Sequence, residues 1–373
     1  MRILALEPYY GGSHRAFLDG WIAHSRHDWT LFSLRPSKWK WRMRHSAVTL
    51  ADQTAAAAAG GEGWDVLFCS DMLNLAEYLG LAPAWIRGLP SVAYFHENQL
   101  TYPYRHQGER DLHFGITNMT TALAAREVWF NSAYHRDDFL GALGDVLRRL
   151  PDYQPLDVPD RIHGKARVFP PGIDLDFEPG PRRPGPARLL WAARWEHDKN
   201  PEAFFAALAG LKVRGVPFRV SVVGEQFSDA PAVFREAAEA FKDEIDHWGF
   251  QPTRADYLSV LRDADIFVST AVHEFFGISA VEAMASGCFP VLPRRLAYPE
   301  LLAAVDAEFR AQCFYDDDGD ELVQRLVELA KRATRGALWQ AAPDFSVCCA
   351  ADHAWCRRAP IMDDALERVD KSG

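Results

Sequence analysis

Short runs of Val, Ile, Leu and Phe alternate along this chain with stretches of helical periodicity, first in its N-terminal half and again in its C-terminal half. Uninterrupted apolar runs of this length are typical of parallel strands that helices cover on both faces. We therefore predict an α/β protein with two doubly wound parallel sheets. The predicted strands lie near residues 3–6, 30–33, 66–69, 92–95, 127–131 and 167–169 in the first series, and near 189–193, 220–223, 247–250, 266–268 and 289–292 in the second.

A segment dense in Pro and Gly, from Pro170 to Pro186, separates the two series and would interrupt any strand or helix. The 373 residues suffice for two domains of ordinary size. The predicted division is an N-terminal Rossmann-like domain over residues 1–172, a hinge over 173–187, a C-terminal Rossmann-like domain over 188–345, and a helical segment over 346–373 that packs back on the N-terminal domain. Two such domains that face each other across a cleft would bind ligands at the carboxyl ends of their strands.

Charge and apolar content limit the partners of the chain. Its 41 Lys and Arg against 51 Asp and Glu give a formal charge of −10, so a nucleic acid would need a local basic patch. The N-terminus has no run long enough for a signal peptide, and no stretch approaches the roughly 20 apolar residues of a membrane span. Six cysteines do not form a dense disulfide framework. These features favour a cytoplasmic protein with reduced thiols and no membrane partner.

An acidic motif follows the predicted strand near 266–268 and opens a helix. It spans residues 273–287 and contains Glu274 at its start and Glu282 about two helical turns later. The amides at the start of such a helix point at an anion. A solvated acid on a helix is the alternative, but Glu282 lies among Val281, Ala283 and Met284, where an acid without a partner is uncommon. The motif therefore favours a binding site.

Two cations follow the first strand of the second series. Arg194 and Lys199 lie in a turn, and Pro201 then begins a helix. The planar fork of Arg194 suits phosphate oxygens, and Lys199 adds a point charge. Surface ion pairing is an equally good explanation of the two cations alone, but the acidic motif downstream favours a diphosphate site.

Two loops of the first series also follow strands. Gly11 and Gly12 come after the first strand, where paired glycines let backbone amides approach a phosphate or a sugar. A turn that merely joins a strand to a helix explains such a pair equally well. His96-Glu97-Asn98-Gln99 follows the strand near 92–95. Four polar residues at the carboxyl end of a parallel strand favour a binding site over a plain loop.

A basic island interrupts the acidic balance of the chain. Residues 35–45 hold no acid, and two tryptophans alternate there with cations: Arg35, Lys38, Trp39, Lys40, Trp41, Arg42 and Arg44. Alternating aromatic and basic residues suit unpaired nucleotides, whose phosphates attract charge and whose bases stack. The alternative is an edge strand or helix whose tryptophans pack on the core while the cations extend to solvent. We interpret the island as an RNA contact because it follows the strand near 30–33.

Together these motifs resemble the retaining glycosyltransferases of family 4, which have the GT-B fold. The resemblance rests on the glycine loop, on Arg194 with Lys199, and on Glu274 with Glu282. More narrowly, the first domain resembles the tRNA-queuosine mannosyltransferase subgroup in Gly11-Gly12-Ser13-His14, Trp39-Lys40-Trp41-Arg42, His96-Glu97-Asn98-Gln99-Leu100-Thr101-Tyr102-Pro103 and Phe130-Asn131-Ser132. That subgroup transfers mannose from GDP-mannose to the cyclopentene diol of queuosine at the wobble position of tRNA.

The resemblance implies roles for individual residues. Arg194 and Lys199 hold the leaving diphosphate in place of a metal ion, Glu282 binds the ribose, and Glu274 and His96 contact the transferred sugar. The other implied donor contacts are Gly11, Gly12, Phe250, Phe276, Gly277 and Ile278. The implied acceptor contacts are His14, Lys38, Trp39, Lys40, Trp41, Arg42, Arg44, Asn98, Gln99 and Tyr102. No metal and no other cofactor are implied.

Two other functions fit the same residues. One is a family 4 transferase that acts on a small molecule, a lipid or a glycan, and the other is a non-catalytic protein that binds a sugar nucleotide or RNA. The presence of Arg194, Lys199, Glu274 and Glu282 together favours an enzyme. The residues alone leave open whether the donor carries guanine or uracil, and whether its sugar is mannose, galactose or glucose.

Overall fold

The computed structural model describes residues 1–103, 111–175, 177–181, 183–227, 230–317, 319–339 and 345–371. The chain divides into two compact units. The first unit comprises Met1–Asp174 and Ala354–Gly373, and the second comprises Leu175–His353.

The first unit contains a six-stranded parallel sheet. Its strands are β1 (Arg2–Glu7), β2 (Asp28–Ser33), β3 (Val66–Ser70), β4 (Ser91–Phe95), β5 (Glu127–Phe130) and β6 (Ala166–Val168). They lie in the order β2-β1-β3-β4-β5-β6. The helices between them are α1 (Gly12–His24), α2 (Trp39–Ala59), α3 (Leu75–Leu81), α4 (Ala84–Arg87), α5 (Leu112–Ala124), α6 (Ala133–Arg148) and α7 (Val158–Lys165).

Alternating residues of these strands enter two different apolar clusters. Leu4, Leu67 and Phe95 belong to one cluster, whereas Phe68 and Tyr94 belong to the other. Because successive side chains of a strand point to opposite faces, the sheet is covered on both sides. This double burial explains why the strands are apolar throughout their length.

The second unit contains another six-stranded parallel sheet. Its strands are β7 (Ala187–Ala192), β8 (Phe218–Val223), β9 (Ile245–Gly249), β10 (Ile266–Val268), β11 (Phe289–Pro293) and β12 (Phe314–Tyr315). They lie in the order β12-β11-β10-β7-β8-β9. The helices are α8 (Pro201–Val213), α9 (Val233–Ala240), α10 (Arg254–Asp263), α11 (Ile278–Ala285), α12 (Tyr298–Leu301), α13 (Ala307–Cys313), α14 (Asp320–Thr334) and α15 (Phe345–Ala351), and a 3-10 turn covers His197–Lys199.

The last helix, α16 (Trp355–Lys371), packs on α1 in the first unit. Its buried Asp363 accepts hydrogen bonds from the Trp21 indole N–H at 2.8 Å, from the Ser25 hydroxyl at 2.9 Å and from the Arg26 backbone N–H at 2.9 Å. A buried carboxylate with three donors has its charge compensated. These bonds fix the C-terminal helix on the first unit.

Every predicted strand is present, and the predicted class of two doubly wound α/β units is confirmed. β12 was not predicted, because a strand of two residues is too short to show a pattern of apolar residues. The division of the chain differs from the predicted one in two places. Residues 175–187, predicted as a hinge, belong to the second unit, and so do residues 346–353, because α15 packs on α11.

Candidate functional site

The second sheet reverses its strand order between β7 and β10, and ligands of doubly wound sheets bind at the carboxyl ends of such a pair. Hydrogen bonds join the loops that follow the two strands. The Thr270 hydroxyl donates to the backbone carbonyl of Lys199 at 2.9 Å, and the backbone N–H of Val272 donates to that of Asp198 at 2.9 Å. The cationic turn and the acidic motif, distant in sequence, therefore form one site.

Lys199 lies at the centre of this site. Its side chain is only 10% exposed, and its Nζ lies 3.1 Å from Asp198 Oδ2 and 3.4 Å from Glu274 Oε2. Nζ also donates to the carbonyl of His273 at 2.8 Å. Burial opposes the charged ammonium, but Glu274 and Asp198 outweigh it and raise the pKa of Lys199. Burial and the charge of Lys199 lower the pKa of His273 to about 4. The site holds a buried cation beside a neutral imidazole.

Arg194 is the more accessible of the two predicted diphosphate ligands. Its side chain is 43% exposed, and its guanidinium lies 3.1 Å from Glu196 Oε2. Burial raises the pKa of Glu196, although the charge of Arg194 opposes this effect. The guanidinium of Arg194 is therefore accessible to solvent, whereas Lys199, in the same loop, is buried.

The acidic motif begins α11 as predicted, and Gly277 makes this geometry possible. Gly277 has a φ of +100°, and a Cβ at this position would lie 3.0 Å from the ring of Tyr298. Only glycine adopts this conformation without strain. Lys199, Glu274, Ser279 and Tyr298 line one small cavity at this point. Lys199, predicted to hold the diphosphate, and Glu274, predicted to contact the sugar, therefore lie together in the second unit.

Glu282 is buried on α11 and has two partners on α10. Its Oε1 lies 2.6 Å from an Arg254 guanidinium nitrogen, and its Oε2 accepts from the Tyr257 hydroxyl at 3.0 Å. Burial and the nearby Glu282 carboxylate raise the pKa of Tyr257 well above its usual value. Arg254 and Tyr257 were not predicted as site residues. Phe250, the predicted base contact, follows β9 and is 62% exposed.

The first sheet reverses its strand order between β1 and β3, and polar residues follow the strands there. Glu7 is the most connected of them. Its Oε1 accepts from the Tyr9 backbone N–H at 2.8 Å and from the Ser70 hydroxyl at 3.0 Å, and its Oε2 lies 3.2 Å from His14 Nδ1. Both Glu7 and His14 are buried. His14, predicted to contact the acceptor, is instead enclosed beside Glu7.

His14 and His96 face each other with ring centroids 4.1 Å apart. Burial opposes a charged His14, but Glu7, Asp71 and Glu97 outweigh it and raise the pKa of His14 to about 9. Burial and the charge of His14 lower the pKa of His96 well below its usual value. Glu7, His14 and His96 also offer three ligand atoms within 4.8 Å of one another, a set that can hold a metal ion.

The glycine loop and the polar run after β4 have structural roles. Gly12 has a φ of +52°, and a Cβ on Gly11 would lie 2.4 Å from Pro36. Asn98 is buried, and its Oδ1 accepts from the backbone N–H groups two and three residues later, each at 3.0 Å. Gln99 is buried and donates to Glu97 Oε1 at 2.8 Å. The amides of Asn98 and Gln99, predicted to contact the acceptor, build this turn, while the half-buried Tyr102 ends it.

The basic island forms the start of α2, and its two tryptophans differ. Trp39 packs on Phe114 with ring centroids 5.1 Å apart and joins a small apolar cluster with Met43 and Met72. Its ring is therefore not the open stacking face that was predicted. Trp41 is 59% exposed.

The cations of the island also differ. Lys38 and Lys40 are exposed. Arg42 donates to the Arg35 carbonyl at 2.9 Å and to the Ser37 hydroxyl at 3.2 Å, so it fixes the chain that enters α2. The exposed Arg44 lies over the ring of Phe114 and 3.8 Å from Asp111. The lysines are the cations best placed for a polyanion.

A larger cavity, of about 410 Å³, lies at the amino ends of the second sheet and contains none of the motif residues. Its three arginines are already paired, Arg183 with Asp263 at 2.8 Å, Arg188 with Asp265 at 3.7 Å and Arg219 with Asp246. Because these charges balance, the cavity does not favour an anionic ligand. Size alone therefore does not identify the site.

Among the described residues, no helix has the length and apolar character needed to cross a membrane.

Two family models match the chain. Residues 2–173 match a model described as tRNA-queuosine alpha-mannosyltransferase N-terminal, and residues 173–335 match one described as glycosyl transferases group 1.

Curated relatives and solved structures agree with these models. The tRNA-queuosine alpha-mannosyltransferase of Drosophila melanogaster is 36% identical over 315 residues, which cover 80% of this chain and 81% of the relative. The GDP-mannose:cellobiosyl-diphosphopolyprenol alpha-mannosyltransferase of Xanthomonas campestris is 25% identical over 48% of this chain and 47% of the relative. Sucrose-phosphate synthase from Thermosynechococcus elongatus superposes with a TM-score of 0.70 at 15% identity over all of both chains. A lipopolysaccharide outer core galactosyltransferase gives a TM-score of 0.64 at 12% identity over 99% of each chain. The last two likenesses show the GT-B fold.

Proposed function

We propose, because the chain belongs to the tRNA-queuosine alpha-mannosyltransferase family, that it transfers mannose from GDP-mannose to the cyclopentene diol of queuosine in tRNA. The observation that carries this proposal is the 36% identity to the fly enzyme over four-fifths of the chain. The buried Lys199 between Asp198 and Glu274 supports a donor site in the second unit, and the exposed lysines of α2 support an acceptor contact.

The donor site supports a division of labour among its residues. Arg194 and Lys199 neutralise the charge that develops on the leaving diphosphate, and the buried setting of Lys199 strengthens this interaction. Glu282, held by Arg254 and Tyr257, accepts from the ribose hydroxyls. Glu274 accepts from hydroxyls of the transferred sugar, and His96 contacts the same sugar. The acceptor hydroxyl attacks the anomeric carbon from the face on which the bond to the diphosphate breaks, so the anomeric configuration is retained. The departing phosphate oxygen takes the hydroxyl proton, so no dedicated protein base is needed.

A transfer assay tests the proposal. Radiolabelled mannose from GDP-mannose is expected to enter queuosine-bearing tRNA and not queuosine-free tRNA, because only the former offers the cyclopentene diol. Equal incorporation into both tRNAs would reject queuosine as the acceptor. Incorporation into lipid or glycan acceptors alone would favour a different transferase of the same fold.

Glu282→Gln and Glu274→Gln are expected to affect different steps. Glu282→Gln should weaken GDP binding about tenfold, since a hydrogen bond to a charged group contributes roughly 1.5 kcal/mol or more. Glu274→Gln should leave GDP binding nearly unchanged and lower turnover, because its partner is the sugar. Calorimetry with GDP measures the first effect. Equal losses of GDP affinity in the two variants would contradict the proposed roles.

Chelation is expected to leave turnover intact, because the two cations carry the charge that a metal ion carries in other transferases. The measurement is the initial rate before and after dialysis against EDTA. A loss of activity that manganese or zinc restores would contradict this prediction. The triad of Glu7, His14 and His96 would then be the first place to look for the ion.

A further inference from the structure

The proposed mechanism makes no use of Glu7 and His14, although both are buried at the reversal of the first sheet. Burying two ionisable groups is costly unless each is hydrogen-bonded. Glu7 meets this condition through Tyr9, Ser70 and His14, at 2.8, 3.0 and 3.2 Å. The side chain of His14 is thereby fixed from one side by a carboxylate that is itself held by two other donors.

The other side of His14 faces His96. The ring centroids lie 4.1 Å apart, and the rings of Phe17 and Tyr94 approach His96 at 4.9 and 4.7 Å. Three aromatic neighbours therefore enclose the His96 ring. Phe17 and Tyr94 belong to the apolar core, whereas His14 brings an imidazole that is hydrogen-bonded to Glu7.

The backbone of His96 has anchors of its own. Its N–H donates to Asp71 Oδ1 at 2.9 Å, and its carbonyl accepts from the Asn131 amide at 2.9 Å. These bonds fix the backbone of His96, but they do not restrict rotation of its imidazole about the side-chain bonds. The orientation of the imidazole depends on the rings that pack against it.

We propose that Glu7 and His14 form a positioning pair that holds the His96 ring in the orientation it needs to contact the transferred sugar. The proposal rests on the proposed role of His96. Both residues are buried, so in this role they act on the sugar through His96. Misplacing a positioned group by about 1 Å costs on the order of 10²-fold in rate. Glu7→Ala should therefore lower kcat by about that factor and leave the Kd for GDP unchanged.

A double-mutant cycle distinguishes positioning from general destabilisation. If Glu7 acts through His96, then Glu7→Ala combined with His96→Ala should be no slower than His96→Ala alone. Glu7→Gln, which keeps the length and an acceptor oxygen, should recover most of the loss. His14→Gln, which lacks the ring, should behave like Glu7→Ala. Additive losses of rate in the double variant would overturn the proposal.

Ser91→Ala is the matched control. Ser91 is buried at the amino end of β4, the strand that His96 follows, and its hydroxyl accepts from the Arg126 backbone N–H at 3.3 Å. Its loss should lower the melting temperature without lowering kcat. A kcat loss in Ser91→Ala similar to that in Glu7→Ala would mean that destabilisation alone explains the rate, and would overturn the proposal.

Histidine-labelled NMR tests the pair without catalysis. The ring resonances of His96, assigned by their loss in His96→Ala, should shift in Glu7→Ala and His14→Gln and stay in place in Ser91→Ala. Unshifted resonances in Glu7→Ala would overturn the positioning role. The positioning role would also be overturned if the wild-type protein held stoichiometric zinc or manganese and His14→Gln lost this metal. Glu7 and His14 would then be metal ligands. A wild-type protein that transfers no mannose refutes the proposed function, while these spectra still decide the positioning role.

Discussion

Arg194→Ala is expected to lower turnover about 10² to 10³-fold at saturating donor, the typical effect of removing one charge-stabilising group from a transition state. The folded structure should persist, because the Arg194 side chain is 43% exposed and its ion pair with Glu196 is accessible to solvent. The measurement is kcat with GDP-mannose and queuosine-bearing tRNA, with the melting temperature beside it.

The exposed Arg235 on α9 provides the matched control, since Arg235→Ala removes the same charge from the same unit. It should keep near wild-type turnover, and its stability should change by less than roughly 0.5 kcal/mol, as expected for a surface substitution. Near wild-type turnover in Arg194→Ala would contradict a role in holding the diphosphate.

Lys199 is the less informative cation to remove. Its ammonium is buried between Asp198 and Glu274, and its loss leaves two carboxylates without their cation. Breaking a buried pair in this way costs roughly 3 to 5 kcal/mol of folding free energy. A fall in activity of Lys199→Ala would therefore combine lost catalysis with lost stability, whereas Arg194→Ala separates the two.

Lys38→Glu combined with Lys40→Glu is expected to weaken tRNA binding on the order of 10²-fold and to reduce the slope of log affinity against log salt by about 2. Both lysines are exposed at the start of α2. Arg42 is left in place because it holds the chain that enters the helix. GDP affinity should stay the same, because the proposed donor site is in the second unit. A salt titration of tRNA binding is the measurement.

The matched control changes charge equally on the other unit. Lys331 and Arg335 are exposed, at the end of α14 and just after it. Replacing both by Glu alters the net charge of the chain by the same amount as the α2 variant. If both double variants lose tRNA affinity equally, the effect is one of net charge and α2 is not the RNA contact. Wild-type affinity in the α2 variant across the titration would lead to the same conclusion.

The sequence was sufficient to predict the two sheets and that the cationic turn and the acidic motif of the second unit both follow strands. Apolar runs that are buried on both faces are visible without a structure, and the carboxyl ends of neighbouring parallel strands meet at one edge. Because β7 and β10 are neighbours in the sheet, this rule brings Lys199 and Glu274 together, although 74 residues separate Lys199 from the His273 carbonyl that it binds.

The contacts that were missed depend on packing between elements. Arg254 and Tyr257 reach Glu282 because α10 lies beside α11, and their helical spacing gives no sign of which helix they face. Trp39 packs on Phe114 because α2 begins at Trp39 and the start of this helix lies against the start of α5. The order of the strands decides that Glu7, Ser70 and His96 meet, and no local pattern encodes that order.

The most direct test is nucleoside mass spectrometry on a matrix of donors and acceptors. Queuosine-bearing and queuosine-free tRNA are each incubated with the purified chain and GDP-mannose, UDP-galactose or UDP-glucose, then digested to nucleosides. The expected result is a queuosine heavier by one hexosyl group in a single combination, GDP-mannose with queuosine-bearing tRNA. Unmodified queuosine in every reaction, or hexosylation from a UDP-sugar in place of GDP-mannose, would contradict mannosyl transfer to queuosine.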